Sequence, residues 1–267
     1  MSSRKPQPER NQAPVVQRIR IRYAKRGPLR FTSHRDFARA FERAVRRAGV
    51  PIAYSQGFTP HPKISYGIGA SPTGMASEAE YLELGLQTPV DPEALLVALD
   101  AALSPGLDVL EAVEVRTGQA LADLLEASRW RVELPGLGSE QVGPAVEAFL
   151  AAPEVLVERM TKQGRRRFDA RQAVVAITVA SSQGPPDATV GQPCAILDLV
   201  VRQVTPSVRP DDVLAGLQVV ADLAPSAPVR VTRLAQGRLT GQADIADPLR
   251  AGDAVLRASA AIGESSE

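Results

Sequence analysis

Twice along the chain the hydrophobic period switches between two and about 3.6 residues, in the order strand, helix, strand, strand, helix, strand in the first half and with one more strand between the helices in the second; no other feature restricts the fold as much. In the first half Val16, Ile19, Ile21 and Tyr23 interleave with Arg18, Arg20 and Arg22, the pattern of a strand with one basic face. Lys25-Arg26-Gly27-Pro28 reads as a turn. A helix is predicted over Ser33–Ala48, with Ser33 and Asp36 as a variant capping box and Gly49-Val50-Pro51 as its stop. Strands over Lys63–Tyr66 and Ala79–Leu86, a helix over Pro92–Leu103 and a strand over Leu107–Val115 complete the half.

The second half echoes this order without any residue-level repeat. Strands are predicted over Trp130–Leu134, Val155–Met160, Ala173–Ala180, Cys194–Val204 and Val229–Leu234, with helices within Ser139–Ala152 and over Pro210–Leu223. Gln183–Gln192 is a Gly/Pro-rich loop, and Lys162-Gln163-Gly164-Arg165-Arg166-Arg167 a basic hairpin turn. The expected fold class is therefore α+β, with two tandem ferredoxin-like (βαββαβ) units and disordered termini. The units are expected over residues 15–120 and 121–239, between a basic arm at 1–14 and a tail at 240–267.

Cys194 is the only cysteine. This excludes an internal disulfide and also a cluster ligated by thiolates of this chain, which needs three or four of them. No apolar run approaches the roughly 20 residues of a membrane helix, so no membrane partner is expected. Met1–Asn11 lacks the apolar stretch of a secretion signal, and the expected compartment is the cytosol.

Net charge is only +1, yet residues 1–75 carry 15 Lys/Arg against 3 Asp/Glu, and residues 76–155 carry 3 against 15. Such a swing bears on partners, unless the two segments neutralise each other within one folded body. On the first helix Arg35, Arg39, Arg43, Arg46 and Arg47 share one arc, and Phe37, Ala40, Phe41, Ala44, Val45 and Ala48 fill the opposite one. With Arg30 and Lys63 they form a candidate nucleic-acid-binding surface, because phosphates are met by fixed positive charge carrying several donors. Arg18, Arg20, Arg22, Lys25 and Arg26 are expected to add to the same region. The alternative is an ordinary solvated helix face.

Both histidines fall in this stretch. His34 lies in the first helical turn, where the helix N-terminus disfavours the imidazolium, so a neutral ring can accept a proton or bind a metal. His61 is held between Pro60 and Pro62 in a stiffened loop. They are the candidate catalytic residues, with hydrogen-bonded loop or capping roles as the alternative. A metal site would need a third ligand such as Asp36 or Glu80, and no HxH or HExxH spacing supports one, so no metal is expected. Gly67-Ile68-Gly69 lacks the rest of a dinucleotide loop, no P-loop or GxSxG elbow is present, and no cofactor is expected.

Leu29-Arg30-Phe31-Thr32-Ser33-His34-Arg35-Asp36, Tyr54-Ser55-Gln56-Gly57-Phe58-Thr59-Pro60-His61-Pro62-Lys63-Ile64-Ser65 and Ser77-Glu78-Ala79-Glu80-Tyr81 together resemble the N-terminal signature of the radical-SAM-linked proteins, a bacterial family of unknown function. Phe168-Asp169-Ala170-Arg171 and Val208-Arg209-Pro210-Asp211 resemble its weaker C-terminal marks. The resemblance implies a neighbouring or fused radical SAM protein, and in some lineages an E/G-type ribonuclease nearby. It carries over no catalytic residue. A chain with one cysteine is not itself a radical SAM enzyme.

Three readings follow: a non-catalytic accessory protein that binds RNA, a metal-independent endoribonuclease using His34 and His61, and a protein adaptor for an acidic partner. The purified chain is expected to be colourless after anaerobic reconstitution with iron and sulfide. A stoichiometric cluster on a monomer, detected by iron and sulfide assay, would contradict the ligand count.

Overall fold

The computed structural model describes residues 13–56, 58–115, 119–161, 164–182, 193–225 and 227–251. They divide into two compact units. The first takes the chain up to Gly74, Ala79–Asp123 and the residues from Leu249 on; the second takes Met75–Glu78 and Leu124–Pro248. The architecture is α+β, with four α-helices among the described residues and mostly antiparallel strand pairing.

In the first unit the order is β1 (Gln17–Lys25), α1 (His34–Arg47), β2 (Ile64–Tyr66), β3 (Ala76–Leu86), α2 (Pro92–Ala102) and β4 (Val109–Glu114). Its strands lie in the order β4-β1-β3-β2. Ile19, Ile21 and Tyr23 of β1 and Leu82, Leu84 and Leu86 of β3 pack on Phe37, Phe41 and Val45 of α1 and on Leu95 and Leu99 of α2. Tyr23 and Phe37 stack with ring centroids 4.2 Å apart.

Arg18, Arg20 and Arg22 of β1 point the other way, and acids meet them. Glu83 of β3 accepts from Arg18 Nη1 at 2.8 Å and from Arg20 Nε at 3.0 Å. Arg20 is 2% exposed and also donates to the Gln119 carbonyl. Arg22 pairs with Glu111 at 3.1 Å, its register partner on β4, and Arg26 pairs with Asp108 at 2.9 Å. The charge segregation along the sequence is thus neutralised, over β1, inside one unit.

In the second unit β5 (Ala127–Pro135), α3 (Ser139–Ala151), β6 (Leu156–Thr161), β7 (Gly164–Asp169), β8 (Val174–Ser182), β9 (Cys194–Arg202), α4 (Pro210–Ala221), β10 (Arg230–Thr240) and β11 (Asp244–Ala246) follow one another. The sheet order is β10-β5-β9-β8, antiparallel throughout, and β11 pairs with β10. Ala76 and Ser77 at the start of β3 pair parallel with Thr232 and Arg233 of β10. β6 and β7 form a separate two-stranded sheet. Gly216 lets α4 approach α3, since a Cβ there would stand 2.6 Å from Phe149 Cε2. Arg233, 1% exposed, donates from Nε to Ser77 Oγ at 3.3 Å and lies 5.0 Å from the Trp130 ring centroid.

Most predicted elements lie within a few residues of the observed ones. Three differences have a common cause. β7 is a strand where a basic turn was expected, because three consecutive arginines show no alternation. β10 runs on from the expected Leu234 to Thr240 through a register shift between Arg233 and Ala235, which interrupts its period. The tail expected from residue 240 begins instead with β11, held by backbone pairing to β10. The arm over 1–12, Gly57, Lys162-Gln163, the loop 183–192 and the tail beyond 251 lie outside the described residues.

Removing the Glu83 carboxylate takes from buried Arg20 the anionic acceptor of its Nε. Glu83→Gln is expected to destabilise the protein by about 3–5 kcal/mol in denaturant unfolding, whereas the joint replacement R20M/E83L recovers much of that loss. An unchanged midpoint for Glu83→Gln would remove the pair from its structural role.

Candidate functional site

Helix α1 is closed at both ends by its own sequence. The Asp36 N–H donates to Ser33 Oγ at 3.2 Å, and the Ser33 hydroxyl donates to Asp36 Oδ2 at 2.6 Å. At the other end Gly49 takes φ +64, its N–H donates to the Arg46 carbonyl at 3.2 Å, and the Val50 N–H reaches the Val45 carbonyl at 3.1 Å. Phe37, Phe41, Ala44 and Val45 are buried, so the rotation of the helix is set by its apolar face.

Arg35, Arg39, Arg43, Arg46 and Arg47 are all exposed on the opposite side. Arg46 stands 3.7 Å from Glu42 and Arg47 donates to the Ala102 carbonyl at 3.1 Å. Arg35, Arg39 and Arg43 engage no hydrogen bond or ion pair among the described residues. Arg30, just before the helix, donates to the Gly27 carbonyl at 3.1 Å and lies 4.6 Å from the centroid of the Phe31 ring, which is itself 57% exposed. Lys63 is exposed at the start of the β2 segment. Arg18, Arg20, Arg22 and Arg26, expected to add to this region, are each engaged by a carboxylate. Lys25 is buried and donates to the Ser71 carbonyl at 3.1 Å.

His34 is exposed in the first turn of α1, and its ring meets the edge of Tyr66 at 5.3 Å. Burial, with Glu42 nearby, pushes the Tyr66 hydroxyl well above the ordinary tyrosine range, so it stays neutral. Beside His34 is a small cavity of about 10 Å³ lined by Tyr23, Lys25, Thr32, Ser71 and Glu80, among others. The Ser71 N–H donates to Glu80 Oε2 at 3.3 Å, and the buried Ser71 Oγ has no partner among the described residues. That volume is about one water molecule. Sequence reasoning missed the pairing of Lys25, Ser71 and Glu80 around one void, since nothing local links residues so far apart in the chain.

His61 sits at the foot of a stapled loop. The Ser55 N–H donates to the His61 carbonyl at 2.8 Å and the His61 N–H donates to Ser55 Oγ at 3.0 Å, with Tyr54 bridged to Pro62. Phe58 stands 64% exposed within this loop. No hydrogen bond joins His34 to His61 among the described residues. Among those residues no group of three His, Cys, Asp or Glu side chains is placed to hold a metal ion.

A larger cavity of about 440 Å³ is lined by Arg18, Ser65, Tyr66, Glu83 and residues 119–122. Its charged wall is the Arg18–Glu83 pair already engaged in the sheet. Among the described residues no helix is long and apolar enough to cross a membrane.

No curated protein matches the chain. A family profile does, from the first arginine of β1 to the first residue of α4, and it takes in α1 with its cap, the stapled loop and the β6–β7 hairpin. On that match over residues 18–210, the chain belongs to the family of uncharacterized proteins conserved in bacteria, DUF2344.

Proposed function

We propose that this protein is a non-catalytic accessory protein that binds RNA through the arginine face of α1. The observation that carries the reading is the sorting of guanidinium groups in the first unit. Those of β1 are neutralised by Glu83 and Glu111 and that of Arg26 by Asp108, while Arg35, Arg39 and Arg43 are exposed and without partners among the described residues. A row of unpaired guanidiniums on a helix that is rigidly capped and packed suits a chain of phosphates, each of which accepts more than one hydrogen bond. Arg46, Arg47, Arg30 and Lys63 extend the row, and the exposed rings of Phe31 and Phe58 offer faces on which unpaired bases stack.

Two finer statements belong to this proposal. The strand orders β4-β1-β3-β2 and β10-β5-β9-β8, each with two helices in split crossovers, support a ferredoxin-like description of both units, the second carrying the β6–β7 hairpin as an insertion. The resemblance to radical-SAM-linked proteins supports action in the cytosol beside a radical SAM protein or an E/G-type ribonuclease.

The test is the salt dependence of RNA binding. Affinity for a structured RNA is expected to fall steeply with salt, and replacing Arg35, Arg39 and Arg43 together by Gln is expected to weaken it and flatten the slope by roughly two to three contacts. Stability should change by no more than about 0.5 kcal/mol per exposed substitution. His34→Ala and His61→Ala are expected to keep full affinity. Cleavage of bound RNA that both histidine variants abolish would replace the accessory role with a nuclease. Binding indifferent to salt and to the triple substitution would refute RNA recognition by α1.

A further inference from the structure

The β6–β7 hairpin of the second unit is a basic ribbon with arginine on both faces. Each strand is six residues long, so the ribbon reaches about 20 Å from root to tip. Its root is fixed. Val157 and Phe168 are buried in the core, and Asp169 Oδ1 accepts from the Val155 N–H at 2.9 Å and the Arg171 N–H at 2.8 Å. Arg159 donates to Asp212 Oδ2 at 2.5 Å and to the Ser207 carbonyl at 3.1 Å, and lies 5.0 Å from the Phe168 ring centroid. Burial pushes the Asp212 carboxyl up, against the pull of the Arg209 N–H and the Arg159 charge.

Beyond the root the described residues are mostly open to solvent. Gly164, Arg165, Arg166 and Arg167 are all exposed, and Met160 is 69% exposed. The register sets Arg166 opposite Arg159, Arg165 opposite Met160 and Arg167 opposite Glu158. Strand alternation therefore puts Arg166 on one face, and Arg165 and Arg167 on the other. Arg165 has only a 3.6 Å approach to the exposed Glu158, and Arg166 and Arg167 have no partner among the described residues. Arg166 faces Arg159, whose charge Asp212 already takes up, so no acid stands directly opposite it in the strand pair.

We infer that this hairpin is a second nucleic-acid contact, and that its ligand is a double-helical segment of RNA. Guanidiniums on two faces of a projecting ribbon reach phosphates of both strands that wall an A-form groove, without entering it to read bases. Duplex RNA is recognised mainly through such backbone contacts and through its shape. Arginine on both faces of a ribbon matches two walls, whereas a single strand would be met by one face only. The inference rests on the RNA-binding reading of α1 but concerns different residues in the other unit.

Binding is measured with a short RNA duplex of about 16 base pairs and with one of its strands alone. Replacing Arg165, Arg166 and Arg167 together by Gln in the full chain is expected to lower duplex affinity by about tenfold and its salt slope by about two to three contacts, with single-strand affinity within about twofold of the parent. The corresponding Lys triple keeps the slope. If the hairpin triple leaves duplex affinity unchanged while the α1 triple lowers it, the hairpin inference fails and the α1 reading stands. Equal losses for duplex and single strand overturn the duplex assignment, and a parent chain that binds neither RNA overturns both readings.

Discussion

Glu83 lies 8% exposed on β3, and two guanidiniums of β1 converge on its two oxygens. The rest of the first unit is arranged around the need to satisfy that group. Glu83 and the Gln119 carbonyl take donors of buried Arg20, and Arg20 and Arg18 in turn compensate the buried carboxylate of Glu83. With the polar face of β1 committed in this way, its apolar face is free to receive α1 and α2. The orientation of α1 follows from that packing, and the exposure of its arginines follows from the orientation.

Arginine plays two separate parts in both units. In the first, β1 uses it inside an ion-pair network while α1 displays it to solvent. In the second, Arg159 holds the base of the β6–β7 hairpin against Asp212, and Arg233 is enclosed between Ser77 and Trp130, while Arg165–Arg167 stand clear. A planar guanidinium with five donors suits both parts: it satisfies several buried acceptors at once, or reaches several phosphate oxygens at once. Total basic content is therefore a poor guide to the charged surface of this protein, and the local partner of each arginine is the better one.

The two histidines illustrate the same separation of sequence from site. They belong to one dense motif, yet His34 rests on Tyr66 at the head of α1 and His61 closes a loop through its backbone. The motif is accounted for in good part by structure: Ser33 caps, Gly49 ends the helix in a positive-φ conformation, Ser55 staples the loop and Glu80 accepts from Ser71. What the motif presents outward is Arg35, which engages no hydrogen bond or ion pair among the described residues, with the exposed rings of Phe31 and Phe58.

Element order, and the division of α1 into apolar and arginine faces, were legible in the sequence because both depend on local periods of two or about 3.6 residues. The caps were legible for the same reason, since Ser33 and Asp36, or Ala48 through Val50, are close neighbours in the chain. What only the tertiary structure decided was the partner of each charge. Arg20 meets Glu83 across 63 positions and Arg22 meets Glu111 across 89, and no local pattern encodes which acid the sheet brings alongside. β7 escaped notice because consecutive arginines carry no period, and the void beside His34 because Lys25, Ser71 and Glu80 come together only once the strands pair. Periodicity is written residue by residue, whereas neutralisation depends on distances that exist only after the chain has folded.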